Sequence, residues 1–212
     1  MAADDVLRMF TDEGVTFSAG VPTIWQGIRA ALEADSTLAE GLQLNRLACG
    51  GSAPAAEMMQ WYLKSYGVTF LQAWGMTETN PIATVARPVQ KAKDLSKTDD
   101  ERFENIVKAG LAMPGLELKI VDSENLSIDM PQDGEAQGEL LARGPTITGD
   151  YFKLPEEDRE GRFHDGWLVT GDIASIDPDG YLIIRDRSKD LIKSGGEYVV
   201  PTLYEPLVSL HL

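Results

Sequence analysis

The first 75 residues constrain the fold most, because short apolar runs there alternate with stretches of helical periodicity. A helix is expected near 4–13, a short strand at 15–19, a helix from Thr23 to about Glu33 and a strand at 44–49. Pro54 is expected to open a further helix running to about Tyr66, since proline fits a first helical turn and Ala55 to Leu63 continue the pattern. VTFLQAW at 68–74 reads as the next strand. Strands that are apolar rather than alternating, and separated by helices, belong to a parallel sheet covered by helices.

From about residue 106 the texture changes to short alternating segments: LELKIVD at 116–122, GELLARG at 138–144, and GDIASID followed by GYLIIRD across 171–186. These read as antiparallel strands, and Asp177-Pro178-Asp179-Gly180 between the last two is a hairpin signal. The expected fold class is therefore α/β: a partial parallel sheet with flanking helices over residues 1–105, followed by a small antiparallel β subdomain over 106–185. The polar stretch KAKDLSKTDDERFEN at 91–105 is expected to be a solvated helix or lid. The helically spaced apolar stripe Val21, Ile24, Trp25 and Ile28 is expected in the core.

Charge narrows the partners. The 212 residues carry a formal net charge of −15, which argues against nucleic acid or an anionic membrane surface, since both need a basic face to neutralise phosphates. A nucleotide substrate remains open, because backbone N–H groups, hydroxyls, metal ions and a few local cations can hold phosphates against an acidic whole. No apolar run approaches the roughly 20 residues needed for stable membrane insertion, and the opening MAADDVLRMF is acidic where a leader would be basic. A cytoplasmic location is the expectation. The lone Cys49, in LNRLACGG, reads as a buried structural thiol.

Three segments could carry chemistry. QAWGMTET at 72–79 follows a strand, and a ligand is expected at a strand's C-terminal end. Trp74 offers a flat face for a base, Gly75 allows close approach to the backbone, Thr77 can hydrogen-bond a phosphate, and Glu78 can hold a divalent metal. The same residues also read as a helix start, with Thr77 as N-cap and Trp74 as core. In WLVTGDIASIDPDGYL at 167–182, Asp172 could accept two ribose hydroxyls, or could be a turn aspartate bonded to its own backbone. RDRSKDLIKSGGEYV at 185–199 places four cations on a connector that ends in two glycines, suited to phosphate or ribose contacts or simply a basic surface turn.

Taken together, the order, spacing and sequence of these segments resemble the adenylate-forming superfamily of acyl-CoA synthetases, firefly luciferase and peptide-synthetase adenylation domains. GVPT at 20–23, GGSAP at 50–54, GELLARGPTITGDYF from 138 and TGD at 170–172 extend the resemblance nearly to Tyr198. WGMTE and GVPTIW look more like medium- and long-chain fatty acyl-CoA ligases than peptide-synthetase domains. The resemblance implies that Gly51, Ser52 and Ala53 border the adenine and acyl site, with Gln72 and Gly75 also in the nucleotide site. It has Trp74 stack on adenine, Thr77 hold phosphate and Glu78 bind Mg2+, the last two being the catalytic pair. Asp172 and Arg187 are implied to hold ribose. Lys189 stands at the hinge, Lys193 and Tyr198 face the adenylate, and Gly195, Gly196 and Glu197 lie near the CoA path.

What the resemblance implies for function is an internal fragment of an ATP-dependent fatty acyl-CoA ligase. Such an enzyme converts a fatty acid or other carboxylate and ATP to acyl-AMP, and then makes a thioester with coenzyme A, using ATP/AMP, Mg2+ and CoA as cofactor and substrates. The family's glycine-rich phosphate loop and its C-terminal lysine-bearing domain are not found in these residues. The expectation is thus a chain inactive alone, whose partners include the missing segments of the same enzyme and whose residues 186–212 form a hinge and the truncated start of the next domain. The alternative is a non-catalytic module that binds a nucleotide or acyl-adenylate.

Overall fold

A computed structural model describes residues 2–153, 155, 161–187, 192–194 and 197–199. They fall into two compact units, one from Met1–Met76 with Pro81–Leu111, the other from Thr77–Asn80 with Ala112–Leu212.

The first unit follows the βα rhythm of its sequence: α1 (Ala3–Asp12), β1 (Phe17–Gly20), α2 (Pro22–Ala34), β2 (Arg46–Cys49), α3 (Ala56–Tyr66) and β3 (Thr69–Trp74). β1 pairs with β2 and β2 with β3, both in parallel, with Leu47 beside Phe70 and Cys49 beside Gln72. Two short strands, β4 (Thr84–Val85) and β5 (Leu111–Ala112), complete the order β1-β2-β3-β4-β5, β4 running antiparallel to β3. The sheet is not equally buried on both faces. Leu47, Cys49, Phe70 and Gln72 are buried on one face, whereas Ala48, Leu71 and Ala73 on the other are half-buried.

The buried face packs into one cluster with Leu7 and Phe10 of α1, Trp25, Ile28 and Leu32 of α2, and Met58, Met59 and Tyr62 of α3. Each large apolar side chain removed from water contributes roughly 1.5–3 kcal/mol. Tyr62 remains satisfied inside, its hydroxyl donating to the Trp25 carbonyl at 2.7 Å. Cys49 sits in the same cluster, where burial pushes its thiol up to about 11 and leaves it unreactive at neutral pH.

Three local expectations are corrected. Pro54 does not open α3: Ala55 is extended at ψ 132° and caps the helix, so Pro54 is a buried residue of the preceding loop. In the 21–28 stripe only Trp25 and Ile28 are core, while Val21 and Ile24 are nearly half exposed, because α2 turns a face centred on Trp25, Ile28 and Leu32 inward. The 91–105 stretch is not simply solvated. It forms a 3-10 turn (Ala92–Ser96) and α4 (Asp99–Ile106), with Asp94 and Asn105 buried. The Asp94 carboxylate accepts the Gln90 and Lys91 amides and pairs with Lys97, which offsets its desolvation.

The second unit is an antiparallel sheet built from β6 (Glu117–Val121), β7 (Gly138–Arg143), β8 (Phe163–His164), β9 (Trp167–Ile176) and β10 (Leu182–Arg187). Its order is β10-β9-β7-β6, with β8 paired to β9. The hairpin between β9 and β10 forms at the expected break: Gly180 N–H donates to the Asp177 carbonyl at 2.8 Å, and the Asp177 side chain accepts the amides of Asp179 and Tyr181. β11 (Ile192–Ser194) and β12 (Glu197–Val199) pair antiparallel as a separate ribbon. No helix among the described residues is long and apolar enough to cross a membrane.

Candidate functional site

In the first unit the expected residues gather at the C-terminal ends of β2 and β3. Gly51, Ser52 and Ala53 follow β2 directly and are exposed. Gly50 bonds back to the Gly20 carbonyl, continuing the parallel ladder to the edge of this loop. Trp74 ends β3 half-buried, and its carbonyl accepts the Ala83 amide at 2.9 Å. Gly75 is needed for a reason internal to the chain: a Cβ there would stand 1.9 Å from the Pro81 carbonyl oxygen, so the loop can close on β3 only without a side chain. Gln72, two residues earlier, is buried, and its Oε1 has no hydrogen-bond partner among the described residues. An orphaned buried acceptor in the strand that leads into such a loop is uncommon.

Thr77 and Glu78 belong to the second unit. They open one 3-10 turn, Thr77–Thr79, closed by the Asn80 amide on the Thr77 carbonyl, and no longer helix follows. Thr77 is exposed. Glu78 is held twice by a segment about seventy residues away: its carbonyl accepts the Thr148 amide at 2.8 Å, and its Oε1 accepts the Tyr151 hydroxyl at 2.6 Å. Arg162 lies over the Tyr151 ring, 5.0 Å from its centroid. Burial first, and then the Glu78 carboxylate to which it donates, hold the Tyr151 phenol above its usual range. An open cleft of about 350 Å3, lined by Arg143, Gly144, Ile147, Thr148, Phe163 and Gly166, shares Thr148 with this contact.

No group of three or more His, Cys, Asp or Glu side chains among the described residues could cage a metal. Magnesium does not require one, since it is commonly held by one or two carboxylates together with substrate phosphates and water. Glu78, with one oxygen occupied by Tyr151, fits that donor set.

Asp172 and Arg187 are brought to opposed positions of β9 and β10. They reach them through irregularities on both strands. Between the pairs Glu139↔Ile173 and Leu141↔Val169, β7 supplies one residue and β9 supplies Thr170, Gly171 and Asp172, so β9 bulges there. The β9–β10 register slips between Ile184 and Asp186. Gly171 takes φ 74°, a left-handed backbone that a side chain would strain. The bulge is tied down: Thr170 Oγ1 donates to the Leu140 carbonyl at 2.8 Å and accepts the Asp172 amide, and Gly171 N–H donates to Glu139 Oε1 at 2.7 Å. Asp172 and Glu139 are both buried. Burial pushes the Glu139 carboxyl up to about 7, with Asp172 adding to the effect and the Gly171 amide opposing it.

The ribbon places Lys193 opposite Tyr198 and Ser194 opposite Glu197. Lys189, Gly195 and Gly196 lie outside the described residues. Sequence reasoning missed Tyr151 and the Glu139 side chain. The signal for Glu139 was a carboxylate inside the otherwise apolar run GELLA, every residue of which is buried.

The AMP-binding enzyme family model matches residues 1–152. The 3-methylmercaptopropionyl-CoA ligase of Ruegeria lacuscaerulensis is 40% identical over 206 residues, 97% of this chain and 36% of that enzyme. The medium-chain-fatty-acid–CoA ligase of Ectopseudomonas oleovorans is 40% identical over 204 residues, 96% of this chain and 36% of that enzyme. The chain thus spans about a third of the length of the curated relatives it matches. Among solved structures, the o-succinylbenzoate CoA synthetase of Bacillus subtilis in complex with its acyl-adenylate intermediate superposes with a TM-score of 0.77 at 26% identity, covering 100% of this chain and 39% of that one. With a family match over most of its length and relatives 40% identical almost from end to end, the chain belongs to the AMP-binding enzyme family.

Proposed function

We infer that the chain is the adenylate-holding part of an ATP-dependent fatty acyl-CoA ligase, and that it is inactive by itself. The observation that carries this reading is the Thr170–Asp172 bulge, which spends a buried carboxylate opposite Arg187 in a sheet whose other buried positions are almost all apolar. A carboxylate suits two ribose hydroxyls, each of which can donate to one oxygen. Trp74 supplies the face on which adenine stacks, beside Gly51, Ser52, Ala53, Gln72 and Gly75. The Thr77 hydroxyl donates to phosphate, and Tyr151 orients Glu78 through Oε1, leaving Oε2 for Mg2+. Bound magnesium neutralises charge on the phosphates.

In the whole enzyme, an oxygen of the fatty acid carboxylate attacks the α-phosphorus of ATP, and pyrophosphate leaves with the bonding pair to give acyl-AMP. The CoA thiol then loses its proton, attacks the acyl carbonyl and displaces AMP. The fatty-acid class rests on the likeness to the medium-chain-fatty-acid–CoA ligase of Ectopseudomonas oleovorans. Location in the cytoplasm accords with the acidic composition of the chain.

Calorimetric titration tests the reading. The chain should bind AMP more readily than ATP, because the glycine-rich loop that clasps the outer phosphates is not among its residues. Asp172→Ala should weaken AMP by about 1–3 kcal/mol, as a hydrogen bond to a charged group is lost from a buried site. Equal or tighter ATP binding, or an inert Asp172→Ala, refutes the assignment. Acyl-CoA formation above a Glu78→Ala control refutes the inactivity.

A further inference from the structure

We propose that Glu139 is a positioning residue, whose buried carboxylate holds the Thr170–Asp172 bulge in the shape that presents Asp172 to a ribose. The proposal rests on the ribose reading of Asp172 given above. Its own basis is the geometry of β7 and β9. Where one residue of β7 faces three of β9, the ladder cannot satisfy every amide of the longer strand. The Gly171 amide is turned across to a side chain of β7, and the acceptor is Glu139 Oε1 at 2.7 Å.

Glu139 is only 6% exposed, and burying a carboxylate in an apolar strand is costly unless it is bonded where it sits. Leucine would complete the GELLA run without that cost. What leucine cannot do is accept the Gly171 N–H. Without Glu139 the half-buried Gly171 N–H loses this acceptor, and the bulge relaxes toward a regular ladder. A regular ladder straightens β9 over Thr170–Asp172, and the local bend that sets Asp172 opposite Arg187 is lost with it. Thr170, bonded to the Leu140 carbonyl and the Asp172 amide, anchors the other side of the same bulge, so Glu139 completes a clamp with two points of attachment.

The test compares AMP with 2′,3′-dideoxy-AMP on the 212-residue chain. The wild type should prefer AMP. Glu139→Leu should lose about tenfold in AMP affinity while its dideoxy-AMP affinity stays within about twofold. Glu139→Gln, which keeps an acceptor oxygen, should restore the preference for AMP and keep the Gly171 amide slow to exchange by NMR. Equal losses for both ligands in Glu139→Leu would mean a general structural role, and an undiminished AMP preference would mean no role; either overturns the proposal. Should Glu139→Leu fail to fold, a Glu139→Gln chain with a protected Gly171 amide but no AMP preference overturns it equally. A wild type that does not distinguish the two ligands, together with an inert Asp172→Ala, defeats the ribose reading instead.

Discussion

Glu139 makes a pH signature at the scale of one residue. Its folded value of about 7 lies above the ordinary 4.5 it takes when unfolded, so the folded chain holds a proton there that the unfolded chain has released. Stability therefore falls as pH rises from the ordinary carboxylate range through about 7, and the penalty is fully present above that. Asp35, Glu101 and Asp133 act in the opposite sense, being held below the usual range chiefly by hydrogen bonds from the Thr37 hydroxyl, the Thr98 amide and the Ala136 amide. Their contribution is lost only on acidification into the carboxylate range, below the window in which Glu139 titrates. Melting wild type and Glu139→Gln at pH 8 and pH 5 should show the wild type gaining on the variant as pH falls; parallel curves would contradict a buried Glu139. Tyr151→Phe leaves Glu78 Oε1 without its donor in a half-buried site and should cost about 1 kcal/mol by urea denaturation. Neither contact was legible in the sequence. Tyr151 is 73 residues from Glu78 and Glu139 is 32 from Gly171, and no local pattern encodes a meeting at that range.

At the scale of elements, sequence served best where a helix or turn is decided by neighbours. The capping box of α4 is equally local, although the structure is what shows it: Thr98 accepts the Glu101 amide while Glu101 accepts the Thr98 amide at 2.7 Å. This helix buries only Asn105 and Ile106, so its cap matters more than its packing. Thr98→Ala should cost about 1 kcal/mol, read as a lower urea midpoint with an unchanged slope. The Asp177–Gly180 hairpin was legible for the same local reason. Gly75→Ala belongs to this scale too, because its Cβ would meet the Pro81 carbonyl and force the loop off β3. A loss of about 1–3 kcal/mol is expected, and a neutral substitution would mean that the loop closes differently. Elements failed to declare themselves where burial came from elsewhere. Asp94 looked solvated by composition, yet Gln90, Lys91 and Lys97 supply the partners that allow its burial.

For the whole molecule, a net charge of −15 opposes compaction through self-repulsion. Raising salt from about 10 mM to about 150 mM shortens the screening length from roughly 30 Å to 8 Å, so the melting temperature should rise. A fall would mean that surface pairs such as Arg143–Glu117 and Lys119–Asp129 outweigh the repulsion. Sequence alone determined the α/β alternation, the change to antiparallel strands, the turn chemistry and the family, because periodicity, turn residues and motif order are all written locally along the chain. Tertiary structure alone decided the bulge that sets Asp172 opposite Arg187, the Tyr151 contact that fixes Glu78, and the inward face of α2 that leaves Val21 and Ile24 exposed. The physical reason is register: which residues meet across a ladder, and which amides it leaves over, depends on how distant segments pair, and a single residue of slip changes the answer.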